Sequence, residues 1–354
     1  MRIPILAAFL VLLLAAPAAG SGGGHWLGVV ADGPLTDPTA DRTVEWDRLA
    51  DSGASSVRTA FYWRDGQPDG PGGVDFARYD RVVLEAASRG LDILPVIQGT
   101  PAWAAATPGN AASPPRDAAD LGRFVRALAV RYGPGGTLWR DRPELRSQAI
   151  RYWQVWNEPS LTSHWSRQPF ARSYVRVLRS ARRALRSVDD RARVVLAGLP
   201  NFSWTALRAI YRARGRKAFD VVALHPYTGR PRNVVRIVAL ARRVMRRYGD
   251  ARKPVWVTEL SWPAARGKTR GTTGFETDDR GQARRLREGV RLLRAARRRL
   301  GIGRVYWYTW LSAEGGPSSF GWSGLRRLRP DGRIVGTPAL RVFREIAQQL
   351  AHPH

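Results

Sequence analysis

Cysteine is absent from the 354-residue chain, which excludes disulfides, thiolate nucleophiles and zinc–thiolate sites and leaves stability to packing. Lysine stands only at Lys217, Lys253 and Lys268, although lysine and arginine together number 58 against 29 acids and give a formal net charge of +29. Arginine dominates so heavily that compositional bias explains the count better than a dedicated patch. Histidine is also scarce: His25, His164, His225, His352 and His354 fall at no spacing that a metal site uses, so neither metal nor cofactor is expected. No polar low-complexity block longer than a loop occurs, and 44% hydrophobic residues exclude a disordered chain. Only one long apolar run is present, Ile3 to Ala16, and it is shorter than the ~20 residues of a spanning helix. With Arg2 before it and Ala16-Pro17-Ala18-Ala19-Gly20 after it, the run reads as an export signal over residues 1–20, followed by a Gly-rich joint at 21–24. A retained membrane anchor is the competing reading. The expected location is outside the cell, secreted or at the cell surface.

A large positive charge suits nucleic acid, an anionic polymer or an acidic membrane surface. Its distribution points elsewhere. Between Val235 and Tyr248, the residues Ile237, Leu240, Ala241, Val244 and Tyr248 share one helical face, while Arg236, Arg242, Arg243, Arg246 and Arg247 fall largely on the other. From Arg284 to Leu300 the inward set is Leu286, Val290, Leu293, Ala296 and Leu300, with Arg297 on the same face and obliged to reach outward. The spacing predicts amphipathic helices with solvated basic backs. No basic motif interleaved with aromatics occurs, so no nucleic-acid partner is expected; a weak association with anionic cell-surface polymers is compatible with the charge.

Short β-rich runs alternate with amphipathic helices along the chain, the pattern of a parallel sheet covered by helices. The predicted strands are His25–Ala31, Ser56–Trp63, Asp92–Gln98, Ile150–Trp156, Arg193–Leu199, Val221–His225, Pro254–Glu259 and Gly303–Trp310, each followed by a helix. At about 40 residues per unit, eight units fill residues 25–354 as a single α/β domain, a (β/α)8 TIM barrel. Near-continuous apolar cores such as Ile93-Leu94-Pro95-Val96-Ile97 fit strands buried on both faces. An open doubly wound sheet is the alternative, but no Gly-rich phosphate turn follows any strand.

Two acids stand at strand ends. Glu158 closes Tyr152-Trp153-Gln154-Val155-Trp156-Asn157-Glu158-Pro159 after the fourth strand, and Glu259 closes Val255-Trp256-Val257-Thr258-Glu259 on the seventh. Strands of a barrel run parallel, so both carboxylates emerge at one rim. Such a pair suits glycoside hydrolysis, in which one carboxyl protonates the leaving oxygen and the other attacks the sugar.

On Trp156-Asn157-Glu158-Pro159 and Thr258-Glu259, the sequence resembles the retaining glycoside hydrolases of clan A, nearest to families 39 and 5. The Gly99-Thr100-Pro101-Ala102-Trp103 stretch is similar to bacterial exopolysaccharide-processing members near family 39. The resemblance spans the chain after the leader and implies a secreted enzyme that cleaves a β-linked oligo- or polysaccharide by double displacement. It makes Glu158 the acid/base, Glu259 the nucleophile, and Asn157 the amide that binds the sugar 2-hydroxyl. It implies that His225 and Tyr227 support the nucleophile, that Trp310 floors the subsite of the cleaved sugar, and that Arg58 sits near the nucleophile. Gln98-Gly99-Thr100 departs from the family 5 pattern, which often has a histidine there.

The residues themselves bear on these roles. An arginine beside a carboxylate keeps it ionised, as a nucleophile requires. Glu158, by contrast, has to arrive protonated, and the apolar surroundings near Trp156 and the negative charge of its partner carboxylate are expected to raise its pKa. Trp153, Trp256 and Trp307 lie within strands and are expected to pack against helices. Trp63, Trp103, Trp165, Trp262, Trp310 and Trp322 stand at strand ends or in loops; Trp103 and Trp262 join Trp310 as candidate sugar-stacking surfaces. A non-catalytic carbohydrate-binding barrel is the alternative function, but it would not need both acids.

Overall fold

The computed structural model describes residues 25–352, so the expected leader at 1–20 and joint at 21–24 lie outside the described residues. β1 (Leu27–Val30), β2 (Ser56–Tyr62), β3 (Asp92–Gln98), β4 (Tyr152–Val155), β5 (Arg193–Val195), β6 (Leu199–Pro200), β7 (Val222–His225), β8 (Val255–Leu260) and β9 (Ile302–Trp307) form one curled sheet, ordered β5-β4-β3-β2-β1-β9-β8-β7-β6. Every pairing in it is parallel. β5 and β6, at opposite ends of that order, are two pieces of one chain segment. A parallel bridge from Val195 to Val221 and the Leu196 N–H to Val221 carbonyl bond of 2.9 Å close the ring through it. Counted as one, they make the eighth strand of a (β/α)8 barrel. The Tyr174 hydroxyl fills the break, donating to the Val155 carbonyl at 2.8 Å and accepting from the Ala197 N–H at 2.7 Å.

The helices α1 (Thr43–Ala50), α2 (Trp63–Gly66), α3 (Ala77–Ala87), α4 (Ala118–Tyr132), α5 (Thr137–Asp141), α6 (Ala171–Arg186), α7 (Ser203–Arg212), α8 (Pro231–Arg247), α9 (Asp279–Leu300) and α10 (Pro338–Ala351) surround the sheet. Asp278 caps α9, accepting from the Gly281 N–H at 2.6 Å, and Gly301 ends the helix at a left-handed φ of 60°. Two apolar cores result. The larger lies between sheet and helices and takes in Trp153 and Trp307. The smaller, inside the barrel, holds Val30, Leu94, Val195, Val221, Ala223, Trp256 and Tyr306. Trp256 therefore faces the barrel interior rather than the helices, its ring tilted against Tyr152 at 4.9 Å, and Gly303 beside its indole leaves it room.

Two further expectations are corrected. In α8 the buried residues are Pro231, Val234, Val238, Ala241, Arg242, Val244 and Met245, so Ala241 and Val244 of the predicted face are buried, Ile237, Leu240 and Tyr248 are only partly so, and the buried stripe is turned by about one residue. Arg242 is 4% exposed and donates to the carbonyls of Leu300, Ala251 and Lys253, so it is an internal cap on the C-terminus of α9 rather than a solvated charge. Arg243, Arg246 and Arg247 do face solvent, and α9 buries its predicted set, with Arg297 reaching outward over Trp26. The second correction lies between the last barrel strand and α10. A small sheet of β10 (Leu311–Ala313), β11 (Arg326–Leu328) and β12 (Ile334–Gly336) replaces the expected loop, β11 pairing parallel with β10 and antiparallel with β12. Buried Arg326 ties it to buried Glu45 of α1, one bond of the fork being 3.0 Å.

Candidate active site

Glu158 and Glu259 meet at the C-terminal rim of the barrel, on the wall of a cavity of about 450 Å³. One oxygen of each carboxylate lies within 4.8 Å of the other and of a ring nitrogen of His225. Arg58, only 2% exposed, reaches from β2 and engages all three of its guanidinium nitrogens here. Nη1 donates to Glu259 Oε1, Nη2 to Asn157 Oδ1 and Nε to Gln154 Oε1, each at 2.7 Å. A guanidinium with three acceptors is fixed in plane, so it sets the positions of acid and amide together. Tyr227 donates to Glu259 Oε2 at 2.8 Å. Burial first, then the Glu259 charge, pushes the Tyr227 phenol well above its ordinary value, which keeps it a neutral donor.

Glu158 is held differently. Its Oε1 lies 2.7 Å from His225 Nδ1, and its Oε2 lies 3.7 Å from His164 Nε2. Burial raises the Glu158 pKa, but the His225 hydrogen bond and the charges of His225, His164 and Arg58 outweigh it and hold the carboxyl below its ordinary value. This reverses the expected direction. The cause is His225, fully buried, whose Nε2 has no hydrogen-bond partner among the described residues and lies 3.6 Å from Glu259 Oε1. Room for the ring exists because residue 198 is glycine: a Cβ there would stand 1.9 Å from His225 Nε2. Glu158, His225 and Glu259 lie close enough together to surround a cation, but Arg58 and Tyr227 already occupy both Glu259 oxygens, and Glu158 Oε1 is paired with His225 Nδ1.

The backbone at the motif is unusual. Trp156 and Glu158 have positive φ, 72° and 45°, values that side-chain-bearing residues rarely adopt. They flank Asn157, which bridges to Gly198, and the turn presents Glu158 toward the cavity rather than along the strand.

Of the predicted aromatic surfaces, none lines the cavity. Trp310 and Trp262 are both 0% exposed; the Trp310 N–H donates to Val30, steering the chain out of the barrel, and the Trp262 indole N–H donates to Thr228. Trp103 is partly exposed but packs edge-on to Trp63 and donates to Gln67 outside the cavity. Trp63 and Trp165 are buried as well, and Trp322 lies under Lys268 and Arg327. The aromatic lining instead includes Tyr62 and Trp156 and a cluster of Tyr227, Tyr308 and Phe320, with Phe320 5.3 Å from Tyr227 and 5.5 Å from Tyr308.

Several lining residues do not stand out in the sequence: Asp32, Tyr62, Arg64, His164, Tyr308 and Phe320. Asp32, just past β1, accepts from the Ala60 N–H at 2.8 Å; burial raises its pKa against that bond and the Arg58 charge. Its position after the first strand is the one signal that could have marked it. At Gly99, φ is 78° and a Cβ would meet Arg64 Nη1 at 2.7 Å, so glycine lets that guanidinium settle over Tyr62 at 4.3 Å.

No protein-family profile matches the chain, and no curated protein matches it. The structure is similar to that of a family 39 glycoside hydrolase from Bacteroides cellulosilyticus, at a TM-score of 0.70 and 16% identity over 94% of this chain and 66% of that one. It is similar to a monomeric beta-xylosidase from Caulobacter crescentus, at 0.69 and 17% identity over 92% and 68%. It is also similar to a GH5_18 protein of Streptomyces cattleya solved in complex with Manb1-4GlcNAc, at 0.66 and 17% identity over 93% and 82%. The chain spans about two thirds of the length of the first two. Likeness at this identity establishes the barrel fold.

Proposed function

We propose that the protein is a retaining glycosidase that hydrolyses O-glycosyl bonds of a β-linked oligo- or polysaccharide. The observation that carries this reading is the separation of the two carboxylates, with oxygens within 4.8 Å of each other. Retaining enzymes hold their carboxyls about 5 Å apart, whereas inverting ones leave roughly 6.5–9.5 Å for a water.

Glu259, clamped as the anion by Arg58 and Tyr227, attacks the anomeric carbon as the bond to the leaving oxygen breaks. That oxygen takes a proton from Glu158. The Glu158 carboxyl, 2.7 Å from His225 Nδ1, gives the proton from its protonated form and is left as the carboxylate. In the second step Glu158 removes a proton from water, the water oxygen attacks the anomeric carbon, and Glu259 leaves. Asn157, its Oδ1 held by Arg58, keeps its NH2 free for the hydroxyl next to the reacting carbon. The wall of Tyr227, Tyr308 and Phe320 offers apolar faces to a sugar ring. The sequence before residue 25 supports export, with the protein acting outside the cell.

The assigned roles are tested with azide. On a dinitrophenyl β-glycoside, Glu158→Ala should form the glycosyl-enzyme, stall, and be rescued by azide as the β-glycosyl azide. Glu259→Ala should lose activity by a factor on the order of 10⁴ and yield the α-azide. NMR assigns the anomer; identical anomers from both variants, or an inverted first product from wild type, would refute the roles.

A further inference from the structure

A second cavity of about 610 Å³ adjoins the first and shares Asp32, Tyr62 and Arg64 with it. We infer that this cavity holds further sugar units on the glycone side of the bond that is cut, so that the protein cleaves within a polysaccharide chain instead of removing single terminal sugars. The inference rests on the glycosidase reading and deepens it.

Direction comes from strand order. The leaving group has to depart on the side of its proton donor, Glu158, which stands just past the end of β4. The second cavity is lined by the segment after β1, by β2 and α2, by Arg78, Tyr79 and Val82 of α3 and by Leu328 of β11. In the sheet β1 is separated from β4 by β2 and β3. The cavity thus lies away from the acid, where the sugar units retained by the enzyme must extend. An enzyme that trims single terminal sugars has to end its site just past the reacting ring. Here the side chains at that boundary, Asp32, Tyr62 and Arg64, line a second cavity as well as the first.

The chemistry of the junction suits a sugar. Asp32 uses Oδ1 on the backbone of Ala60, while Oδ2 accepts no bond from the protein among the described residues. Beside it Arg64 presents a guanidinium whose nearest carboxylate, Asp65, stands 3.9 Å away. An acceptor and a planar set of donors side by side pair with vicinal hydroxyls. Beyond the junction, Thr36, Asp37 and Arg42 continue the polar lining. Pockets of about 300–1,000 Å³ take one small ligand, so the two cavities in series exceed the needs of one monosaccharide.

The test uses p-nitrophenyl β-glycosides of the gluco, xylo and manno series with one, two or three sugar units. In the series that is cleaved, kcat/KM should rise at least tenfold from one unit to two, since binding energy from the remote unit is used in the transition state. Mass spectrometry should find the intact disaccharide released with nitrophenol. Thr36→Trp, which fills the second cavity, should collapse the two-unit to one-unit ratio toward one; Pro38→Trp serves the same purpose if the first variant fails to fold by circular dichroism. Equal rates for one and two units, stepwise release of monosaccharide, or an unchanged ratio in a folded filled variant would overturn the inference. If no aryl glycoside is cleaved, the hydrolase reading falls, and calorimetric titration with the free di- and trisaccharides still decides the cavity. Binding that Thr36→Trp abolishes supports it, and absent or unaltered binding refutes it.

Discussion

Replacing His225 with asparagine would separate the two influences on Glu158. In the native site burial pushes the carboxyl up, and the imidazole at 2.7 Å, aided by His164 at 3.7 Å, brings it below the ordinary value of 4.5. Asparagine carries no charge and is too short to restore the contact, so burial would dominate. A hydrogen bond to a charged partner contributes roughly 1.5–3 kcal/mol. At about 1.36 kcal/mol per pH unit, the Glu158 titration should rise by about one to two units. The measurement is a ¹³C NMR titration of glutamate side-chain carboxyls, with Glu158→Gln identifying the resonance. Stability should change with a definite sign. The native carboxyl, with its pKa depressed on folding, stabilises the protein above the unfolded value and loses that contribution as pH falls through the folded one. In the variant the same carboxyl, raised on folding, opposes folding when ionised. The stability gap between the two proteins, from urea unfolding, should therefore be wide near pH 7 and narrow toward pH 3. A Glu158 titration that stays put or falls in His225→Asn would refute the reasoning.

Three other outcomes are expected. Gly198→Ala places a methyl 1.9 Å from His225 Nε2, so the ring must move; kcat on an aryl glycoside should drop tenfold or more, and a variant with native kinetics would contradict the packing. Arg242→Gln removes a buried guanidinium from four hydrogen bonds to three carbonyls and should cost roughly 2–4 kcal/mol by urea unfolding, whereas exposed Arg243→Gln should stay within about 0.5 kcal/mol. Phe320→Ala should raise KM several-fold at nearly constant stability, while Trp310→Phe should lower stability and leave KM within about twofold; the opposite pattern would return the sugar platform to Trp310.

Much of this molecule is legible in its sequence because a parallel barrel repeats one simple pattern. Apolar runs such as Ile93–Ile97 mark strands buried on both faces, and any acid at a run's end is carried to the rim, which is how Glu158 and Glu259 stand out. Arg58 is legible for the same reason. The hidden residues are those where the chain leaves the pattern. Trp310 lies past the end of β9 at Trp307, where the backbone turns into the small sheet, so alternation along the strand no longer says which way its indole points. Phe320 reaches the cavity from the segment between β10 and β11, elements of three residues each, too short for periodicity to register. Arg242 is hidden because a one-residue rotation of an amphipathic face is within the error of reading any helix by spacing. The opposite pull of His225 on Glu158 needed the contact itself.

The positive φ angles at Trp156 and Glu158 bear on how this protein would change under selection. Left-handed backbone at such residues costs of order 1–3 kcal/mol each. A population challenged only to survive heat would gain by relaxing those two residues, and each relaxation would swing the acid away from the cavity. Heat-tolerant descendants selected without substrate should therefore accumulate changes at 156–158 and become inert. Descendants selected for turnover should keep the turn and find their extra stability elsewhere, in the helices and in the small sheet after the last barrel strand.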